Sequence, residues 1–237
     1  MRIGDWQTPP YGDKLKRRPM LALSLLLYAL ALAAFVIAMF TTPDGNYNPL
    51  RQMLSYLGRR MVDKVLYPPC HYWFMAGMFL SSLSILVATP HFSATARRPW
   101  MAWLVRFCGV ATAGGLALIA MVPEDVCIQW HNNGCYLAAA GGAGLMLLLW
   151  PRRWEWLLIG FGTVSIVGLQ TALALHAANI IRFSPAVPTM QKAVILSFML
   201  WCVWQILKLL RGNGCGGECR RCEKAIVGAQ QKNAGKM

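Results

Sequence analysis

Three of the four histidines, His71, His131 and His176, and the single adjacent acidic pair, Glu124 and Asp125, stand at the ends of long apolar segments. Imidazole nitrogens and carboxylate oxygens are common zinc ligands, and three protein ligands with an open fourth position leave room for an activated water. A site built from His71, His131, His176 and Asp125 would suit zinc-dependent hydrolysis of a lipid amide or ester, with Asp125, His131 and Ser55 as candidate catalytic groups. None of these histidines belongs to a short ligand motif such as His-x-x-x-His, and histidines at a membrane rim often serve only as interfacial polar residues. The leading expectation is therefore a surface that binds or organises lipid or a membrane partner, with no assigned reaction and no cofactor.

The same rim supplies cations. Arg51, Arg59 and Arg60 lie in the first long loop and Arg182 in the last outer one, and guanidinium groups suit lipid phosphate. Asp125 paired with Arg59 or Arg182 across the rim is an equally economical use of the charge. In the leading expectation His131 and Asp125 pin the first loop over the mouth of a helical bundle.

The elements that must position these groups are membrane spans. With 57% hydrophobic and 14% charged residues and a mean hydropathy of +0.43 over 237 residues, the chain is too apolar for an ordinary soluble domain. Six stretches approach the roughly 20 apolar residues that cross a hydrocarbon core. They lie at about 19–41, 71–89, 100–122, 133–150, 154–176 and 190–210. Backbone groups in lipid must be satisfied within each segment, so an all-α, six-helix transmembrane bundle is expected over 19–211. The first span lacks a small-x-small cleavage site after it and is expected to remain.

Basic residues orient the bundle, because cytoplasmic loops retain lysine and arginine. Lys14, Lys16, Arg17 and Arg18 precede span one, Arg97 and Arg98 follow span two, Arg152 and Arg153 follow span four, and Lys208, Arg211, Arg220 and Arg221 end or follow span six. Both termini are thus expected in the cytoplasm: a basic N-tail at 1–18 and a disordered tail at 212–237. The net charge of +14 follows from this topology and from attraction to anionic lipid, and no nucleic-acid-reading motif accompanies it. Arg106, inside span three, can snorkel to the cytoplasmic interface.

The first outer loop, 42–70, is long enough to carry structure of its own. Leu50, Met53, Leu54 and Leu57 recur at helical intervals, which predicts a short amphipathic helix lying on the outer leaflet. Gly134, Ala138 and Gly142 in span four and Gly109, Ala113 and Ala117 in span three form small-residue faces for close helix contact, within one bundle or in a homodimer. Cys70 paired with Cys127 or Cys135 is one reading of the outer cysteines, and free thiols the other. The tail run Cys-Gly-Gly-Glu-Cys-Arg-Arg-Cys resembles half of a zinc knuckle but lacks a fourth ligand; it suits palmitoylation, with an unmodified disordered tail as the leading expectation. No nucleophile elbow, Walker loop or dinucleotide fingerprint is present, and no chain of carboxylates crosses the spans.

Six spans with cytoplasmic termini, Pro49 and the Ser55-Tyr56-Leu57-Gly58 run in the first outer loop, an aromatic entry to span two and a polar loop leading to His131 together resemble a known family. It is the six-span superfamily of the damage-regulated autophagy modulators, with its lipid-remodelling relatives and a prokaryotic branch. The likeness covers most of 19–211 and leaves out the cysteine-rich tail. It implies a role in membrane lipid organisation, remodelling or trafficking, with His131 and the Ser55 loop as the positions to watch. Kinship with seven-span ceramidase-like metal hydrolases is the alternative. Those carry paired histidines in a late span, where this chain offers only His176.

Overall fold

The computed structural model describes residues 13–43, 47–48, 51–96, 98–149, 160 and 186–211. The expected span at 154–176 apart from residue 160, His176, Arg182 and the tail at 212–237 lie outside these residues. Within them are α1 Asp13–Phe40, α2 Pro69–Ser93, α3 Pro99–Met121, α4 Ile128–Leu148 and α5 Ala186–Leu210. Proline opens both α2 and α3, where its fixed φ suits a first helical turn and its missing N–H costs nothing.

Four of the five helices are long and apolar enough to cross a membrane: α1 from Arg18, α2, α3, and α5 from Val187. α4 falls short because its first two turns carry Gln129, His131, Asn132 and Asn133. The outward faces of the helices are apolar, with Leu26, Val36 and Phe40 on α1, Trp103 and Phe107 on α3, and Leu196 and Leu200 on α5 all exposed. Water would penalise such continuous apolar faces and lipid does not. The chain has the build of a multi-pass membrane protein.

Neighbours in sequence are neighbours in space: α1 lies on α2, α2 on α3 and α3 on α4, while α5 returns against α1. Buried hydroxyls bridge the first pairs. Ser24 Oγ donates to the Ser84 carbonyl at 2.9 Å and Ser84 Oγ returns the bond at 2.8 Å, while Ser82 Oγ donates to the Ala113 carbonyl at 2.8 Å. α3 and α4 meet through glycine. A β-carbon on Gly115 would stand 2.4 Å from the Ala138 nitrogen, and one on Gly141 would stand 2.7 Å from the Cys108 carbonyl.

The small-residue faces make close contacts within the bundle, but with more than one neighbour. Gly134 and Ala138 do meet α3, but Gly142 faces Phe198 of α5, and Gly109 turns to Thr89 of α2. An i, i+4 stripe followed in a straight line drifts around a helix of 3.6 residues per turn, so successive members address different neighbours.

The long loop between α1 and α2 also departs from expectation. In place of an amphipathic helix it forms a 3₁₀ turn, Leu54–Gly58, and a two-stranded hairpin of β1 Met61–Val62 and β2 Val65–Leu66. Met61 pairs with Leu66 and Val62 with Val65. Asp63 and Lys64 form the two-residue turn with φ of 49° and 68°, the sign of φ that a type I′ connection requires at both centres. Leu54 and Leu57, three apart, are buried, as suits three residues per turn. The helical periodicity was real over that one turn and ended there. Gly58 lets the turn press onto α2, since a β-carbon would lie 2.4 Å from the Phe74 ring.

Candidate functional site at one end of the bundle

The 3₁₀ turn and hairpin form a roof over one end of the bundle. Beneath it Leu54, Leu57 and Val62 pack with Phe35, Ala38, Phe74, Met78, Ile119 and Ala120 of α1, α2 and α3. The roof is therefore seated on the bundle itself, and the polar groups picked out by sequence act mostly as its fastenings.

Asp125 is the first of these. α3 ends at Met121, and Val126 and Cys127 both return N–H groups to the Pro123 carbonyl, a tight turn that raises Glu124 and Asp125 towards the roof. Asp125 Oδ1 accepts the Arg60 amide at 2.9 Å and Oδ2 the Met61 amide at 3.0 Å. Both bonds go to backbone, so the carboxylate fixes the position of β1 whatever side chains it carries. Glu124 meets Arg59 at 3.5 Å, and the Arg59 guanidinium also lies 5.3 Å over the Tyr56 ring. The pair is partly made: Arg59 Nε and Glu124 Oε2 are inaccessible to solvent and have no hydrogen-bond partner among the described residues.

The two histidines of this rim are buried and each engages a carbonyl through Nδ1. His71 meets Gly58 at 2.9 Å, tying α2 to the roof, and His131 meets Val122 at 2.9 Å, closing the turn between α3 and α4. A carbonyl only accepts, so Nδ1 is the donor in both rings. No group of three His, Cys, Asp or Glu side chains placed to hold a metal occurs among the described residues. Ser55 is buried within the 3₁₀ turn, with its hydroxyl 4.0 Å from the Met53 sulfur. Cys70, Cys127 and Cys135 are free thiols, so the suggested bridge from Cys70 is not formed.

Two fastenings escaped the sequence reading. Gln191 Oε1 accepts the Leu54 amide at 2.8 Å, and the Lys192 ammonium donates to the Gln52 carbonyl and lies 5.8 Å from the Tyr47 ring. Their signal was available: Gln191 and Lys192 are adjacent polar residues in the first turns of an otherwise apolar span. Burial pushes the Tyr47 phenol up to about 12. Tyr56 is shifted upward as well, by burial first and then by Asp63, whose carboxylate accepts its hydroxyl at 3.2 Å.

The upper surface of the roof has a different character. Arg51, Arg60 and Lys64 are exposed and make no ion pair among the described residues. Met61, Val65 and Leu66 are exposed beside them. Of the four arginines expected to meet phosphate, Arg51 and Arg60 are open to do so and Arg59 is committed in part to Glu124.

No family model, curated protein or solved structure matches this chain.

Proposed function

We propose that this is a six-span membrane protein, with both termini cytoplasmic, that gathers anionic lipid headgroups on its outer face through Arg51 and Arg60, assisted by Arg59 and by Arg182 of the last outer loop. The observation that carries this reading is the asymmetry of the roof. Its underside is spent on packing against the bundle, and the neighbouring acids of the α3–α4 turn, Asp125 and Glu124, are engaged with the roof's amides and Arg59. The exposed cations are left to a ligand from outside. A phosphate offers the acceptor geometry that guanidinium prefers, and each cation held at an anionic surface contributes about 1 kcal/mol. Lipid organisation is also what the resemblance to the autophagy-modulator superfamily implies, and no bond-breaking step is required of it.

Phospholipid carried through purification of the full chain tests the reading. Reconstituted from mixed phosphatidylcholine and phosphatidylglycerol and re-extracted, the protein is expected to be enriched in phosphatidylglycerol. Arg51→Gln with Arg60→Gln is expected to lower the affinity about 30-fold, the equivalent of two such contacts. Equal enrichment in the double variant overturns the proposal. Stoichiometric zinc in the same preparation, lost on His71→Ala and on His131→Ala, would replace it with the hydrolase reading.

A further inference from the structure

The hairpin Met61–Leu66 exposes more apolar surface than its fastening needs. In its register Met61 stands opposite Leu66 and Val62 opposite Val65. Val62 is buried at 1%, while Met61 is 53% and Leu66 55% exposed. A hairpin surrounded by water on its outer side would ordinarily carry polar residues at those positions, because antiparallel pairs alternate apolar-in and polar-out. Here the Met61–Leu66 pair is apolar and faces away from the bundle.

Its surroundings are of the same kind. Tyr67 follows β2 directly, with an unusual φ of 52°, and its ring packs 5.7 Å from His71 and 6.5 Å from Tyr72. Tyr72 and Trp73 are exposed in the first turn of α2, a helix long and apolar enough to cross the membrane. Across the Asp125 contact, Val126 in the α3–α4 turn and Ile128 and Trp130 at the start of α4 are exposed. Tyrosine and tryptophan at the ends of spans settle at the headgroup level. Arg60 precedes Met61, and Lys64 lies in the turn, where the neighbouring Asp63 carboxylate accepts the Tyr56 hydroxyl. Apolar side chains bordered by cations are the pattern of an element lying in the interface of an anionic leaflet.

We infer that the hairpin is a membrane anchor, with Met61 and Leu66 immersed in the outer leaflet of the membrane the bundle crosses. Continuity decides between lipid and a protein partner: only Tyr67 and Pro68 separate β2 from α2, so the hairpin is held within reach of the headgroups that surround α2. The leaflet also tolerates the open edges of a two-stranded ribbon at this depth, because the headgroup zone contains water. The inference rests on the membrane-spanning part of the proposed function but not on its arginines.

Photocrosslinking tests it in the full chain. A benzoylphenylalanine is placed at Leu66, at Met61 or, as a buried control, at Val62, and each protein is reconstituted in phosphatidylcholine vesicles and in vesicles with added phosphatidylglycerol. Lipid adducts at Leu66 and Met61 in both vesicle types, with adducts at Val62 confined to the protein itself, are expected. Adducts at Leu66 joining two copies of the chain, or an absence of lipid adducts there, overturn the anchor. Should the Val62 protein fail to fold, Trp201, buried in the core at 0% exposure, serves as the control position. Lipid adducts at Leu66 alongside unchanged phosphatidylglycerol enrichment in the arginine variant would sink the headgroup reading and leave the anchor standing. Lost adducts with intact enrichment would do the reverse.

Discussion

Asp125 grips the peptide backbone on either side of the Arg60–Met61 bond, one carboxylate oxygen to each amide, at 2.9 and 3.0 Å. This single side chain links the turn between α3 and α4 to the hairpin, two elements far apart in sequence. Hydrogen bonds to a charged group contribute roughly 1.5–3 kcal/mol where they are sheltered and less where water competes. Asp125 is exposed, so Asp125→Ala is expected to cost about 1–2 kcal/mol, and Asp125→Asn about half as much because the amide keeps one acceptor. Hydrogen exchange at Arg60 and Met61 is the measurement. Unchanged protection of both amides in the alanine variant would remove Asp125 as the fastening.

The glycines of the α3–α4 contact give a sharper contrast. At Gly115 a β-carbon would meet backbone, with the Ala138 nitrogen at 2.4 Å and the Gly134 carbonyl at 2.6 Å, and neither can swing aside. Two positions in one helix thus predict opposite outcomes, because Gly114 has nothing within 4 Å. Gly115→Ala is expected to destabilise the bundle by about 2 kcal/mol or more through forced separation of the helices. Gly114→Ala is expected to be neutral or to stabilise by up to about 1 kcal/mol, the ordinary helical preference for alanine. Thermal unfolding of both variants in one detergent checks the pair, and equal losses at the two sites would mean the helices do not cross there.

How far this architecture was legible from sequence depends on which forces set each part. Hydropathy placed α1, α2, α3 and α5, because burial in lipid selects residue type over some twenty consecutive positions and leaves little ambiguity. It also marked Asp125, His71 and His131 as rim residues. It did not distinguish ligands from fastenings, since that depends on which carbonyl or amide the fold brings within 3 Å. Gly58 and Val122 are invisible as acceptors in sequence because every residue carries a carbonyl. The first loop was misread for a related reason: Leu54 and Leu57 satisfy a helical spacing, and the competing signal, a positive-φ turn at Asp63 and Lys64, uses aspartate and lysine rather than the Asn-Gly pair that advertises such turns.

Tyr47 supplies a pH dependence. Burial raises its phenol from 10 to about 12, so the neutral form is favoured in the folded protein. The contribution is fully present below pH 10, declines as the unfolded chain gains by ionising, and is lost as pH rises through about 12. Alkaline titration of tyrosinate absorbance should show one late-ionising group fewer in Tyr47→Phe, with stability falling less steeply above pH 10 in that variant. A Tyr47→Phe titration that overlays the parent's would refute the assignment.

The hairpin turn offers the last test. Left-handed backbone costs an L-residue about 1–2 kcal/mol unless a short polar side chain relieves it, and aspartate at 63 qualifies where lysine at 64 does not. Lys64→Gly is therefore expected to stabilise the hairpin by about 1 kcal/mol, since glycine removes the steric cost while its greater freedom in the unfolded chain returns part of the gain. The same substitution deletes an exposed cation. A headgroup role for Lys64 predicts weaker retention of phosphatidylglycerol in a protein whose hairpin is more stable, as read by exchange at the Tyr67 amide, which donates to the Arg60 carbonyl at 2.7 Å. Faster exchange there would show that Lys64 is not strained, and the two readouts moving in opposite directions separate the turn's geometry from its charge.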